Sequence, residues 1–532
     1  HYEAPSRACA CRCNIALCER KSSPSTSLWR SQRMTASWTA TPRVWGLGAG
    51  AGAVFFQRVR NRRLGSSRCP GWMRCGDGSS DASSSTWSPQ SPRIQLLALL
   101  LLISIASQAS RALIFYMVDF DPGATQEDAV NAALKFDQAE YGYIATLGFS
   151  LPFTLASLLA GLLADSSDRL QTIGYAGIAS SACTAGMAGA ASYSILFGQR
   201  VLMGVSQAAL NPAALSLIAD RFGDAPATAS SIYGLGIYIG GGLASLGTIV
   251  DEEFGWRSCA VIFGSASLLA SLLVFWAPTS KSDAVATLAS SQTSGQPQTG
   301  RSPSRTGDTA DVPDVPDVPD AIRKASSMAT EAVAQQSVRW LLLASTFRFC
   351  AGFAILVWLP PVMRIRFPDN VEDFATYNAC IKAFAGSASS LAGGFAADAL
   401  RRGPLGDRAG IAFCIASSLA AAPLWYGTLI DSLSFEACML FLLAQYLVAE
   451  SWLGSAVASL LGAVPPNRRG TVQGIFAALT AVGNIFPAAL GLCPPEELAS
   501  ALQVSVAGAY LLSAVCFAFA FTASEERTSD SL

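Results

Sequence analysis

Beyond residue 92 the chain alternates between long apolar runs and short polar connections. Twelve runs lie at roughly 94–118, 142–164, 172–194, 196–219, 228–250, 258–277, 338–361, 374–397, 409–430, 434–461, 470–492 and 500–521. Each is long enough for one helical crossing of a bilayer, which takes about 20 mainly apolar residues. A soluble helical protein hides one or two such runs in its core, not twelve joined by short loops. Small residues crowd the runs, as in IYGLGIYIGGGLASLG at 232–247, and small faces let membrane helices approach closely. Residues 279–336 are different material, rich in Ser, Thr, Gln, Pro and Asp. Their VPDVPDVPD repeat at 312–320 favours extended chain over helix. The expected architecture is an all-α membrane protein of twelve transmembrane helices in two pseudo-symmetric six-helix bundles. It comprises a basic leader (1–92), a first bundle (93–278), a disordered linker (279–336), a second bundle (337–523) and a polar tail (524–532).

Composition sharpens this picture. Of the 532 residues, 51% are apolar and 14% charged, against about 25% charged in ordinary soluble domains; mean hydropathy is +0.37. The net charge of -1 gives no overall basic field of the kind that binds nucleic acid. Residues 1–90 alone carry 13 Lys/Arg against 4 Asp/Glu. Met34 is read as a translation start, and the Arg- and Ser-rich stretch after it has the composition of an organelle transit peptide. A disordered basic tail is the alternative reading. The first points to a plastid or mitochondrial membrane; otherwise a plasma or endolysosomal membrane is expected. Cys9, Cys11 and Cys13 lack a second Cys or His pair at metal-ligand spacing, so no metal site is expected there. The single His, at position 1, excludes His-based chemistry, and there is no P-loop and no G-x-S-x-G turn. The expectation is a protein that is not an enzyme and needs no cofactor.

The loops set an orientation. On one side stand Arg169, Arg221, Arg401, Arg402, Arg408, Arg468 and Arg469, while the opposite loop at 119–140 has six acids against Lys135. This matches the positive-inside rule with both ends inside. Arg364 and Arg366, on the other side, are exceptions.

Run two ends in Gly161-Leu-Leu-Ala-Asp165-Ser-Ser-Asp168-Arg169, and run eight in Gly394-Phe-Ala-Ala-Asp398-Ala-Leu-Arg401-Arg402. Both read G-x-x-x-D followed by basic residues, at the same point of each half. This resembles the loop 2–3 signature of the major facilitator superfamily and its recurrence in loop 8–9. Arg200-Val-Leu-Met-Gly204, the glycines of run five and Gly255-Trp256-Arg257 fit the same resemblance. It implies the major facilitator fold and a latch of Gly161, Asp165, Arg169, Asp220, Gly394, Asp398 and Arg401 closing the inner side. RVLMGVSQAALNPAALSLIADRF in run four, Trp452 and PPNRRGTVQG at 465–474 look most like the Spinster-type carriers. That implies transport of lysolipids or sphingolipid-like molecules with proton coupling. The chain departs from the family at Ser110 and Gln207, where acidic residues are usual.

Ionisable side chains inside a membrane are costly, and they persist in wet cavities or as pairs. The candidates are Arg111, Arg200, Arg348, Lys382 and Glu450. Arg200 is read as a brace. Arg111 and Arg348 occupy corresponding first helices of the two halves and are read as facing substrate, while Lys382 either faces substrate or pairs with Glu450. The cationic excess favours a small organic anion or an anionic lipid-like solute. Glu450, the one carboxylate near the middle of a run, is the candidate proton carrier. Gln207, Asn211 and Trp452 complete the expected substrate site, with Tyr116, Tyr238, Trp358, Gln445 and Asn484 as weaker neighbours. The expected function is secondary active transport by alternating access, by a monomer among membrane lipids. A non-transporting receptor or scaffold and a neutral-sugar porter are the rivals.

Overall fold

The computed structural model describes residues 92–121, 129–163, 168–222, 226–276, 330–331, 333–465 and 468–530. The leader with its cysteine cluster, most of the linker and Asp165 lie outside these residues, as do the side-chain surroundings of Gly161, Asp398 and Arg401. All described residues belong to one unit, Ser80–Leu532. Among them, eight helices are long and apolar enough to cross a membrane. The other four expected spans are covered by shorter helices. Span two is Gln138–Ala145 and Leu147–Leu163; span three is Arg169–Gly186. Span five is Pro226–Gly234 and Gly236–Ser245, and runs into Gly247–Leu272. Span eight is Val371–Cys380, a π-helical Ile381–Gly386 and Ser387–Arg401. The twelve expected spans thus each have a helical counterpart. Helix Gly247–Leu272 is divided by Gly255, whose φ of 78° suits a residue without a Cβ and turns the chain from span five into span six. The last helix, Leu498–Asp530, continues past residue 523 into the expected polar tail.

The two halves repeat one packing plan. Span one lies along spans five and six, and span three along span six; span seven lies along spans eleven and twelve, and span nine along span twelve. Close contact follows from small residues. A Cβ on Gly204 would stand 2.5 Å from the carbonyl oxygen of Phe149, and one on Gly242 2.7 Å from that of Ala379. The second contact joins span five to span eight, and so one bundle to the other.

Spans four and ten are broken partway along, the first of them next to a proline. In span four, helices Tyr193–Gln207 and Leu210–Arg221 are separated at Ala208 and Ala209. Pro212 has no N–H to offer the carbonyl of Ala208, which instead accepts from Ser157 at 3.5 Å. Span ten is broken at Glu450 and Ser451, between Phe435–Ala449 and Trp452–Gly462.

Calling the end with loops 2–3 and 8–9 the inner end, the outer end is sealed between the bundles. Tyr141 donates to the Val357 carbonyl at 2.9 Å and meets Trp358 edge to face, and Gln138 donates to the Cys493 carbonyl at 3.0 Å. Arg364 of span seven, an exception to the charge rule, forms ion pairs with Glu252 at 2.7 Å and Asp119 at 3.8 Å. Both acids belong to the first bundle. Toward the inner end, Gly234, Gly394, Gly454 and Gly474 have no atom of the described residues within 4 Å of where a Cβ would stand.

Candidate functional site

The break in span ten builds the centre of the second bundle. It frees the carbonyl of Ala449, and the Arg348 guanidinium donates to it through Nη2. Broken helices at membrane depth hand their backbone groups to cavities and ligands in this way. Arg348 is 3% exposed. Its Nε and Nη1 have no hydrogen-bond partner, and among the described residues no carboxylate lies within ion-pair distance. Its cationic carbon sits 4.6 Å from the Tyr510 ring and 5.1 Å from that of Trp452, contacts that suit a poorly hydrated guanidinium. Gln445 donates to the Tyr510 hydroxyl at 2.8 Å, and its own Oε1 is unpartnered.

Glu450 turns across the seam. Its Oε2 accepts from the Tyr238 hydroxyl of span five at 3.1 Å. Lys382, carried on the π-helical stretch of span eight, donates to the Tyr116 hydroxyl of span one at 2.5 Å. The extra residue of a π turn re-aims side chains, and such turns concentrate at functional sites. Asn378, one helical turn before Lys382, donates to the same hydroxyl at 3.0 Å and to Ser245 at 2.9 Å. Lys382 and Glu450 are therefore each held by a tyrosine of the other bundle, with no ion pair between them.

In the first bundle, Arg111, Gln207 and Asn211 line one cavity together with Ser104, Gln108 and Tyr233. The Arg111 guanidinium lies 4.5 Å from the Phe149 ring and 5.9 Å from that of Phe353 in span seven. Two of the cavity's polar groups are already engaged. Gln207 donates to Ser180 at 2.8 Å, and Asn211 Oδ1 accepts from Tyr233 at 2.8 Å. Arg200 is fully buried beside this cavity and donates to the carbonyls of Arg111, Ile144 and Ala145.

The structure thus places the site residues in two groups. Arg111, Gln207 and Asn211 share a first-bundle cavity, and Arg348, Lys382, Glu450 and Trp452 cluster in the second bundle. Trp452 is 6% exposed and packs on Phe349 at 5.5 Å, so it forms a wall behind Arg348. Asn484 turns back onto the Thr480 carbonyl at the bend of span eleven, and Trp358 belongs to the outer seal, donating to the Pro487 carbonyl at 2.7 Å. At the inner end Asp168 caps helix Arg169–Gly186 by accepting from the N–H of Leu170 at 3.0 Å, while Arg169 pairs with Asp220. That pair joins two helices of the same bundle and is largely solvated, which limits its contribution to about 1 kcal/mol. Asn378, Ser245 and Tyr510 join the site without having stood out in the sequence. The one available signal was Asn378 standing in an apolar run a turn before Lys382.

The sequence model of the Major Facilitator Superfamily matches residues 93–488. No curated protein matches the chain. Among solved structures, a bacterial homologue of the human lysosomal transporter Spinster, inward-facing and unoccupied, aligns with a TM-score of 0.58 at 20% identity. The alignment covers 82% of this chain and 98% of that one. A D-xylose–proton symporter aligns at 0.58 and 14% identity, covering 80% and 97%. The peptide transporter POT in complex with sulfate aligns at 0.55 and 14% identity, covering 80% and 93%. At these identities the likeness is one of fold. With the family model spanning both bundles, and the packing plan of one bundle repeated in the other, this integral, multi-pass membrane chain belongs to the major facilitator superfamily.

Proposed function

We propose that this protein is a secondary active transporter of a small organic anion or an anionic lipid-like solute, working by alternating access. The observation that carries the reading is Arg348, a buried guanidinium whose Nε and Nη1 have no hydrogen-bond partner among the described residues and whose acidic neighbour Glu450 makes no ion pair with it, bonding Tyr238 instead. Such an arrangement is costly unless an anion completes it, and the planar fork of Arg suits carboxylate, phosphate or sulfate. Arg111 lies on the path side of the first bundle, against a phenylalanine of span seven, and supplies the facing cation. Aromatic rings around both guanidiniums suit a solute with an apolar part. Glu450, at the break of span ten, is the proton acceptor of the cycle. Solved structures of similar fold include the bacterial Spinster homologue and a D-xylose–proton symporter, which is in keeping with this reading.

The test is uptake into proteoliposomes from a panel of organic anions and neutral sugars, comparing the unaltered chain with Arg348→Ala. Loss of one hydrogen bond to a charged group costs about 1.5–3 kcal/mol, so KM for the transported anion is expected to rise about tenfold or more. Arg348→Lys keeps the charge but not the fork, and is expected to recover only part of the loss. Anion uptake indifferent to Arg348, or sugar uptake in its place, would sink the proposal.

A further inference from the structure

We infer that Tyr238 is the positioning residue through which the charge of Glu450 sets how the two bundles seat. The inference rests on the proposal that Glu450 takes up a proton. Tyr238 belongs to span five and Glu450 to the break of span ten, so their 3.1 Å hydrogen bond crosses from one bundle to the other. The place of this bond in the seam is specific. Span five meets span eight where Gly242 lies against Ala379, and again where Gly386 lies against the Tyr238 ring, 2.6 Å from where a Cβ on Gly386 would stand. A glycine on the π-helical stretch thus makes the room that this ring occupies. Gln138, Tyr141, Arg364, Asn378 and Lys382 also bond across the seam. The bond from Tyr238 lies farther toward the inner end than any of theirs. Beyond it stand Gly234 and Gly394, with no atom of the described residues within 4 Å of where a Cβ would stand.

A hydroxyl donating to an ionised carboxylate forms a charge-assisted bond, about twice as strong as a neutral one. A protonated carboxyl accepts more weakly and brings a donor of its own. Because the two partners sit on different bundles, the strength of this bond is part of the free-energy difference between the seated and rocked arrangements. Ionised Glu450 favours the arrangement with the outer end sealed, and proton uptake moves the population away from it.

Other ionisable groups face Glu450: Arg348 of span seven, Lys382 of span eight, Tyr510 of span twelve and, on its own helix, Tyr446. Tyr116 of span one stands behind Lys382. Among the described residues none of these bonds to the Glu450 carboxylate. Arg348 is turned to the Ala449 carbonyl, Lys382 to Tyr116, and Tyr510 accepts from Gln445. Among the described residues, Tyr238 alone bonds that carboxylate to the other bundle.

The experiment measures inner-end distances by pulsed electron resonance on the full chain in lipid nanodiscs. Spin labels replace the exposed Thr228 and Arg402, the other cysteines are removed, and pH is varied from 5 to 8. Without labels, hydrogen exchange at the outer-end helices, corrected for intrinsic rates, reads the same equilibrium. Between the two pH limits the ratio of inner-open to inner-closed populations is expected to change at least threefold. Tyr238→Phe, which removes only the hydroxyl, is expected to flatten that pH profile. Glu450→Gln should flatten it too, and the double variant should match either single one. A pH profile that survives Tyr238→Phe but vanishes in Glu450→Gln would overturn the role of Tyr238 and leave Glu450 as the proton site. A profile absent from the unaltered chain, or persisting in Glu450→Gln, would overturn the proton reading of Glu450 and the inference with it.

Discussion

Arg200→Ala is expected to lower the thermal unfolding midpoint in detergent more than substitution of any other buried arginine in the spans. Two breaks in the helices explain why. Span one leaves α-helical geometry after Ala112 and span two is interrupted at Thr146, so the carbonyls of Arg111, Ile144 and Ala145 are left without helical donors. Arg200 reaches all three, at 2.9, 3.3 and 3.4 Å. Its charge has no acidic partner among the described residues. The field of three carbonyl oxygens, with the Phe149 ring 5.4 Å away, stands in for a counter-ion. Removing the side chain orphans three buried acceptors, each costing about 1–3 kcal/mol, and leaves a void as well. These sum to about 3–9 kcal/mol, and water entering from the neighbouring cavity brings the expected loss down to about 3–6 kcal/mol. Arg200→Lys offers a point charge to one carbonyl rather than a fork to three, so its midpoint should fall between the two. A melting curve for Arg200→Ala that overlays the unaltered one would refute the bracing role.

The contrast between Arg200 and Arg348 shows what the chain reveals before it is folded. Both are single cations in apolar runs, and the cost of burying them flags both equally. What separates them is the supply of acceptors. Arg200 meets three carbonyls where helices break, while Arg348 meets one and keeps Nε and Nη1 unengaged. Helix breaks not caused by proline, such as that at Glu450 and Ser451, leave no local mark in sequence. The partners of Lys382 and Glu450 were equally hidden. Tyr116 and Tyr238 lie 266 and 212 residues away in sequence, and an isolated tyrosine in an apolar run looks like packing. The apolar runs themselves were legible because lipid acts on every residue of a span at once. A side chain's single partner depends on tertiary contact and has no such repeated signature. The inner-end motif was half legible for the same reason. Its spacing marks the turn, yet the carboxylate that caps the next helix is Asp168.

The first bundle contributes hydroxyls to the midplane seam and the second contributes charges. Tyr116 receives Lys382, and Tyr238 gives to Glu450. Bonds between a hydroxyl and a charge can break without leaving two bare opposite charges facing each other, which keeps the cost of parting the bundles moderate. At the outer end the arrangement is the reverse, with an ion pair across the seam.

Arg364→Ala is accordingly expected to open the outer end. Arg364 is 8% exposed at its side chain, as is Asp119, and Glu252 is 24% exposed. Breaking a buried pair by removing one partner costs about 3–5 kcal/mol because the other charge is left uncompensated. Here part of that is recovered, since Asp119 still accepts from the N–H of Asp121 at 2.9 Å and Glu252 is partly wet. A shift of about 2 kcal/mol remains, roughly thirtyfold in population. It acts on the seal alone, because once the outer end parts both acids are hydrated and the arginine is no longer missed. Spin labels replacing Lys135 and Glu496, on the outer turns of the two bundles, should therefore report a longer distance in Arg364→Ala. Glu252→Gln combined with Arg364→Gln removes one of the two stranded charges together with its partner, leaving Asp119 with the Asp121 N–H, and is expected to restore part of the short distance. If the single variant keeps the short distance, the aromatic contact of Tyr141 with Trp358 and the apolar packing around it are the seal, and the ion pair contributes nothing to holding it shut.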